Sequence, residues 1–129
     1  MSLKVLWMRG LVVYGLWTVL GAPVLQAATR QGRASLRQLN HDIRRSRGSS
    51  AVSNVRLHPK DDTIAIVTAN SRWNRLSAPE KTRLGRKWLS RWITLRKRFG
   101  SDVVVDIKTR DGYPLAHCYG NTREAGQCR

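Results

Sequence analysis

The chain has 129 residues, of which 24 are Lys or Arg and 8 are Asp or Glu, giving a formal net charge of +16. This length allows one small domain with one hydrophobic core and excludes a second domain of ordinary size. The positive excess indicates anionic partners but carries no information about the fold.

Residues 1–28 have the composition of an export signal. Lys4 and Arg9 precede the stretch from Leu11 to Ala28, which is eighteen residues long and carries no charge. A positive start, an apolar centre and small residues at the end are typical of a targeting peptide. We therefore expect export to the periplasm or the extracellular space, with the signal either cleaved or kept as a membrane anchor over residues 3–28.

The rest of the chain keeps most of the positive charge. Removing Lys4 and Arg9 from the 24 basic residues leaves 22 against 8 acidic residues, a formal excess of +14. Such an excess attracts polyanions, so the expected partners are lipid headgroups, acidic cell-wall polymers or nucleic acid.

An Arg-rich polar stretch follows over residues 29–51 and ends in a Gly-Ser-Ser run, which favours an open chain. Within it, Leu36, Leu39 and Ile43 recur at helical spacing. Because this apolar stripe has only three members, the sequence predicts a basic linker with a short helix that docks weakly on the domain or frays.

The folded domain is predicted to occupy residues 52–129 and to begin with a hairpin. The stretches Val52–Leu57 and Thr63–Thr68 are typical of strands, with a polar turn between them. Ile64 and Ile66 would share one face of the second strand, while apolar side chains also occupy its other face. The pattern therefore predicts an interior strand.

The strongest local signal in the chain is a helix start. Ser77 precedes Glu80 by three residues with Pro79 between them, the pattern of a capping box. Apolar residues then recur at spacings of four and three, which predicts one long amphipathic helix that Gly100 ends. The members of this apolar face, which we expect to be buried, are Leu84, Trp88, Trp92, Leu95 and Phe99.

The opposite side of this helix carries basic side chains and no acidic side chains to pair with them. Between Lys81 and Arg98 there are eight basic residues and no acidic one, although like charges three or four residues apart oppose a helix. This pattern indicates an electrostatic footprint for a polyanion, and the alternative interpretation is simple solubility of a basic protein. The basic ridge, as we name this surface, consists of Arg83, Arg86, Lys87, Arg91, Lys97 and Arg98.

A second hairpin is predicted after the helix. The β-branched run Asp102–Lys108 is followed by Asp111 and Gly112, a dipeptide that favours a tight turn, and by a return strand over residues 113–119. Pro114 cannot donate to a sheet ladder, so this strand begins at Pro114 or lies at an edge of the sheet.

The two cysteines, Cys118 and Cys128, both lie behind the export signal. Because thiols pair in an oxidising compartment, we expect a disulfide between them. Apart from the adjacent His117, neither cysteine has a further ligand at metal-binding spacing, so no metal and no cofactor is predicted.

Motifs for catalysis are absent from the sequence. It contains no Gly-x-Ser-x-Gly elbow, no phosphate-binding loop and no His-Glu-x-x-His helix. Asp106 and His117 are expected to face each other across the second hairpin, where a structural contact is a more frequent explanation than acid–base catalysis. Trp73, between Arg72 and Arg75, fits either a nucleic-acid contact or a core position.

Together these patterns predict an α+β domain of two layers in ββαββ order, with one long amphipathic helix on a sheet of roughly four strands. The leading hypothesis is an exported, non-enzymatic binding or accessory protein that engages an anionic partner through the basic ridge. The alternative is a secreted nucleic-acid-binding or nuclease-like protein.

Overall fold

In the computed structural model of the protein, the described residues are 30–97, 102–123 and 126–129. The signal or anchor predicted over residues 1–28 lies outside them, and so do Arg98, Phe99 and Gly100. Within the described ranges, no helix is both long enough and apolar enough to cross a bilayer. A compact unit spans Gly32–Arg129.

The domain is built on a five-stranded mixed sheet whose strands lie side by side in chain order. Neighbouring strands are antiparallel except for the central second and third strands, which are parallel. A parallel pair needs a crossover connection, and here the long helix supplies it. The strands are β1 (Val52–His58), β2 (Asp61–Ala69), β3 (Val103–Lys108), β4 (Pro114–Gly120) and β5 (Gln127–Cys128).

The expected α+β architecture, a helix packed on a sheet, is confirmed in outline, but the number of strands differs. The sequence predicts roughly four strands, whereas Gln127 and Cys128 add a fifth beside β4. A two-residue strand carries no alternation that a sequence pattern could reveal. As a result β4 is an interior strand, and Pro114 stands at its first residue, where a missing N–H is tolerated.

A helix, α1, covers residues 30–44 of the described chain. The sequence predicts a helix here that docks weakly or frays, but Leu39 and Ile43 are fully buried in the core. The Arg44 guanidinium also donates to two backbone oxygens at the start of β1, over 3.0 and 3.3 Å. The compact unit therefore begins well before the boundary at residue 52 that the composition predicts.

The long helix, α2, runs over Ala78–Arg96. Its start confirms Ser77 as the N-cap of the predicted capping box, because the Ser77 hydroxyl accepts a hydrogen bond from the Glu80 backbone N–H at 3.3 Å. Of the apolar face, Leu84, Trp88 and Trp92 are buried as predicted. Satisfying an N-terminal donor by such a cap is worth about 1 kcal/mol.

The hydrophobic core lies between one face of the sheet and the two helices. Trp92 of α2 meets the fully buried Val105 and Ile107 of β3 in a single cluster. Trp73, in the short 3₁₀-helix Ser71–Arg75, packs on Trp88 with ring centroids 6.1 Å apart. Trp73 is only 2% exposed, so its core interpretation is correct and its nucleic-acid interpretation is not.

The disulfide predicted between Cys118 and Cys128 is present and joins β4 to β5. It packs directly under α2, where a Cβ atom placed on Gly85 would lie 3.0 and 3.1 Å from the two sulfur atoms. Gly85 thus permits the close approach of helix backbone and disulfide. Past the bridge, reciprocal backbone hydrogen bonds between His117 and Arg129 continue the pairing.

Candidate functional site

Most of the basic ridge lies on the solvent side of α2, away from its buried apolar face. Arg98 falls outside the described residues, and Arg91 is half-buried. The exposed members of the ridge are Arg83, Arg86, Lys87 and Lys97. The structure therefore brings four of the six predicted residues together at the surface of one helix and its C-terminal cap.

Arg91 differs from the other ridge residues because it is bonded within the fold. Its Nε–H donates to Oδ2 of Asp42 in α1, and Gln38 donates to the other oxygen of the same carboxylate at 3.3 Å. The Arg91 and Asp42 side chains are 41% and 30% exposed, so water screens the pair and its contribution is below about 1 kcal/mol. Arg91 is less available to an external anion than its neighbours.

Arg96 is the buried cation of α2, and sequence reasoning missed it. The side chain is 3% exposed and donates to Asp62 Oδ2 at 3.0 Å and to Ser35 Oγ at 3.4 Å. Its guanidinium also lies 5.7 Å from the ring centroid of Trp92. Arg96 thereby links α1, α2 and the first hairpin. The signal that could have found it is its spacing of four residues from Trp92, on the core side of the helix.

The carboxylates of the described chain are largely engaged in structural contacts. Each of the following has a hydrogen-bonded partner: Asp42 with Arg91, Asp61 with Thr63, Asp62 with Arg96, Asp102 with Asn121, and Asp106 with His117. Of the ridge residues, only Arg91 is therefore paired with a carboxylate in the described chain. The exposed cations of the ridge keep their charge available for an external partner.

A groove of about 520 Å³ separates α1 from α2 beside the ridge. Buried Leu39 and Trp88 line it, and its rim carries the cations Arg45, Lys87 and Arg91 near the single carboxylate of Asp42. Among the described residues, the buried Trp88 Nε1 has no hydrogen-bond partner. The groove therefore extends the positive surface of the ridge towards α1.

The sheet face that points away from the two helices, which we call the open face, carries the exposed Arg56 and His117 beside Ile66, which is 3% exposed. Register pairs place Arg56, Ile66, Asp106 and His117 next to one another across β1 to β4. Arg129 follows on the far side of His117, through their shared backbone hydrogen bonds. Side chains at such paired positions lie within contact distance of each other, so this row forms one continuous strip.

Asp106 and His117 meet on this open face, as the sequence predicts. Oδ1 of Asp106 lies 2.5 Å from Nδ1 of His117, with the imidazole 53% exposed and the carboxylate 18% exposed. Because an ionised carboxylate can only accept, the neutral tautomer that fits this contact has its proton on Nδ1 and its acceptor at Nε2. No group of three or more His, Cys, Asp or Glu within the described ranges is arranged to hold a metal ion.

Tyr119 and Arg129 complete this part of the open face. The Tyr119 ring lies 5.8 Å from the His117 ring, centroid to centroid, and its hydroxyl donates to Gln127 at 3.0 Å. The Arg129 guanidinium lies 5.8 Å from the centroid of the Tyr119 ring. The exposed His117 imidazole and Arg129 guanidinium thus flank the half-buried Tyr119 ring.

Comparison with protein-family models, with curated proteins and with solved structures finds no match to this chain. Its function is therefore inferred from the chemistry of its own surfaces. Two of them stand out: the basic ridge with its groove on the helical side, and the strip around His117 on the open face of the sheet.

Proposed function

We propose that this protein is an exported binding or accessory protein that attaches to an anionic polymer or surface through the basic ridge. The observation that carries the proposal is that Arg83, Arg86, Lys87 and Lys97 are exposed along α2 with no ion pair among the described residues. Like charges at these spacings oppose the helix. A bound polyanion would relieve that repulsion.

The fold supports the ridge by fixing the other side of the helix. Trp92 is fully buried, Gly85 packs on the disulfide, and Arg96 is bonded to Asp62. Cations displayed from a fixed helix lose less conformational entropy on binding than cations on a mobile segment. Binding would release the counterions condensed on the polyanion, which makes affinity fall as salt is added.

Export is part of this proposal and is supported by the composition of residues 1–28 and by a disulfide, a bond typical of oxidising compartments. Cell fractionation followed by N-terminal sequencing tests it. We expect the protein outside the cytoplasm, either beginning after Ala27 or Ala28 or retained on the membrane with its leader. A cytoplasmic protein with reduced cysteines would contradict export while leaving binding by the ridge untouched.

Charge reversal tests the role of the ridge. The test variant combines Arg83→Glu, Arg86→Glu and Lys87→Glu, three exposed positions on α2. The matched control combines Lys60→Glu, Arg110→Glu and Arg123→Glu, exposed positions outside α2, and changes the net charge by the same amount. The probes are vesicles that contain phosphatidylglycerol and, as a free polymer, inorganic polyphosphate.

The ridge variant should bind much more weakly than the natural protein to whichever probe the natural protein binds. The control variant should keep most of that binding. Circular dichroism confirms that both variants stay folded. If both variants lose binding equally, attraction depends on net charge alone and the ridge has no special role. If the natural protein binds neither probe at low salt, the proposal is wrong.

A further inference from the structure

Beyond attachment through the ridge, we propose that the open sheet face cleaves single-stranded RNA, with His117 as the general base. The groups that carry this activity stand on adjacent strands: Asp106 on β3, His117 and Tyr119 on β4, and Arg129 directly after β5. This strip is on the opposite side of the sheet from α2 and its ridge, so the two activities occupy separate surfaces.

His117 is presented as a proton acceptor. The Asp106 carboxylate lies 2.5 Å from Nδ1. Because an ionised carboxylate only accepts, the neutral tautomer that fits this contact donates through Nδ1 and carries its lone pair on Nε2. Nε2 makes no hydrogen bond within the described residues, and the side chain is 53% exposed. A general base must be reachable by the proton it removes and held in one orientation, and His117 meets both requirements.

The neighbouring groups favour a single-stranded nucleic acid as the ligand. The half-buried Tyr119 ring supports the exposed Arg129 guanidinium, 5.8 Å from its centroid, and unpaired bases stack on guanidinium planes as well as on aromatic rings. Lys108 lies two residues from Asp106 on the same face of β3, and Arg56 lies in the same row across Ile66. These cations are placed to contact the phosphates of an extended single strand that crosses this face of the sheet.

RNA is favoured over DNA because its 2′-hydroxyl is a nucleophile that one general base can activate. Nε2 of His117 removes the proton of the 2′-hydroxyl, and O2′ forms a bond to the adjacent phosphorus. The bond between phosphorus and O5′ breaks, O5′ takes a proton from a water molecule, and the imidazolium gives its proton to the resulting hydroxide, which restores the neutral ring. The products are a 2′,3′-cyclic phosphate and a 5′-hydroxyl end. Arg129 is the cation positioned to stabilise the charge that develops on the phosphoryl oxygens.

The test uses the purified full chain and a fluorogenic single-stranded RNA oligonucleotide, with DNA of the same sequence as the substrate control. The key variant is His117→Asn. The matched control is His41→Asn, which changes another exposed histidine on α1, away from the sheet face. The natural protein and His41→Asn should cleave RNA and leave cyclic phosphate ends, and His117→Asn should be slower by about 10²- to 10⁴-fold.

Asp106 acts through His117 as a positioning residue, and its test needs a readout other than rate. In Asp106→Asn, nitrogen NMR of the His117 ring should show that the proton no longer resides mainly on Nδ1, and cleavage should slow. Tyr119→Leu should raise KM more than it lowers kcat, because it removes a stacking surface and no proton acceptor.

Three outcomes would overturn the proposal: no cleavage by the natural protein, cleavage of RNA that His117→Asn does not reduce, or equal cleavage of RNA and DNA. The second outcome also identifies a contaminating ribonuclease, because the cleavage rate of a contaminant does not change with the substitution in this protein. Binding of polyphosphate or vesicles through the ridge would survive each of these results. The two proposals can therefore fail independently.

Discussion

At the scale of single residues, Gly85 shows how the composition of a helix can be set by what packs beneath it. Glycine inside a helix costs about 1 kcal/mol relative to alanine, so its place in the middle of α2 needs a compensating contact. The disulfide lies within 3.1 Å of the position that a Cβ atom would take. The sequence contains both cysteines and the glycine, but only the fold reveals that they meet.

We expect Gly85→Ala to destabilise the protein by about 1–3 kcal/mol, because the added methyl group meets sulfur atoms that are covalently fixed to two strands. Urea unfolding measures the change. The control is Thr82→Ala, an exposed position on the same helix, where better helix propensity should leave stability equal or slightly higher. Equal stability of natural protein and Gly85→Ala would show that the helix can move away from the bridge.

Asp61 gives a prediction about acid stability. The Thr63 hydroxyl and backbone N–H both donate to its carboxylate and lower its pKa below the ordinary value of 3.8, while burial opposes this weakly. A carboxylate whose pKa is depressed on folding contributes stability that is present above the unfolded-state pKa. That contribution is lost as the pH falls through the folded-state pKa.

Thr63→Val removes the stronger of the two donors. We expect the variant to lose less unfolding free energy than the natural protein between pH 7 and pH 3, by less than about 1 kcal/mol because Asp61 is exposed. Urea titrations at the two pH values measure this difference. A variant with an unchanged pH dependence would show that the hydroxyl does not set the protonation of Asp61.

At the scale of elements, the sequence predicts those whose signals are local and misses those that depend on distant partners. The start of α2 follows from Ser77, Pro79 and Glu80 alone, and Asp111 with Gly112 marks the second hairpin. The burial of α1 cannot be deduced in this way. It rests on Leu39 and Ile43 joining a core built mainly from the sheet and α2, and Asp42 and Ser35 also contact Arg91 and Arg96, residues far away in the chain.

Substitution of Leu39 tests whether α1 belongs to the core. Because Leu39 is fully buried, Leu39→Ala should cost about 2–5 kcal/mol of unfolding free energy. Arg37→Ala, at an exposed position on the same helix, should change stability by no more than about 0.5 kcal/mol. A frayed linker helix would instead give near-zero values for both variants in denaturant unfolding.

Parts of the candidate site also follow from local sequence patterns, whereas others depend on distant contacts. Helical spacing alone predicts the basic ridge, and four of its members are exposed at the surface. The pairing of Asp106 with His117 also follows from the predicted hairpin register, and the structure confirms it. The contribution of Arg129 could not be foreseen, because it depends on β5, whose two residues show no pattern of their own.

At the scale of the whole molecule, the acidic and the basic side chains are distributed differently. Several carboxylates are engaged in contacts within the fold, with Asp62 bonded to the buried Arg96, while cations with no ion pair in the described part of the chain accumulate on the exposed side of α2. A formal charge of +16 over 129 residues favours non-specific attraction to any polyanion. Binding by itself is therefore a weak test of function, and the distribution of the charge is what must be probed.

The most direct measurement is the salt dependence of polyphosphate binding for the natural protein, the ridge variant and the control with equal net charge. If the ridge is the binding surface, the slope of log K against log salt should become shallower by about 2 to 3 in the ridge variant, since each lost contact removes close to one released counterion. The control should keep the natural slope. Equal slopes for the two variants would contradict the account.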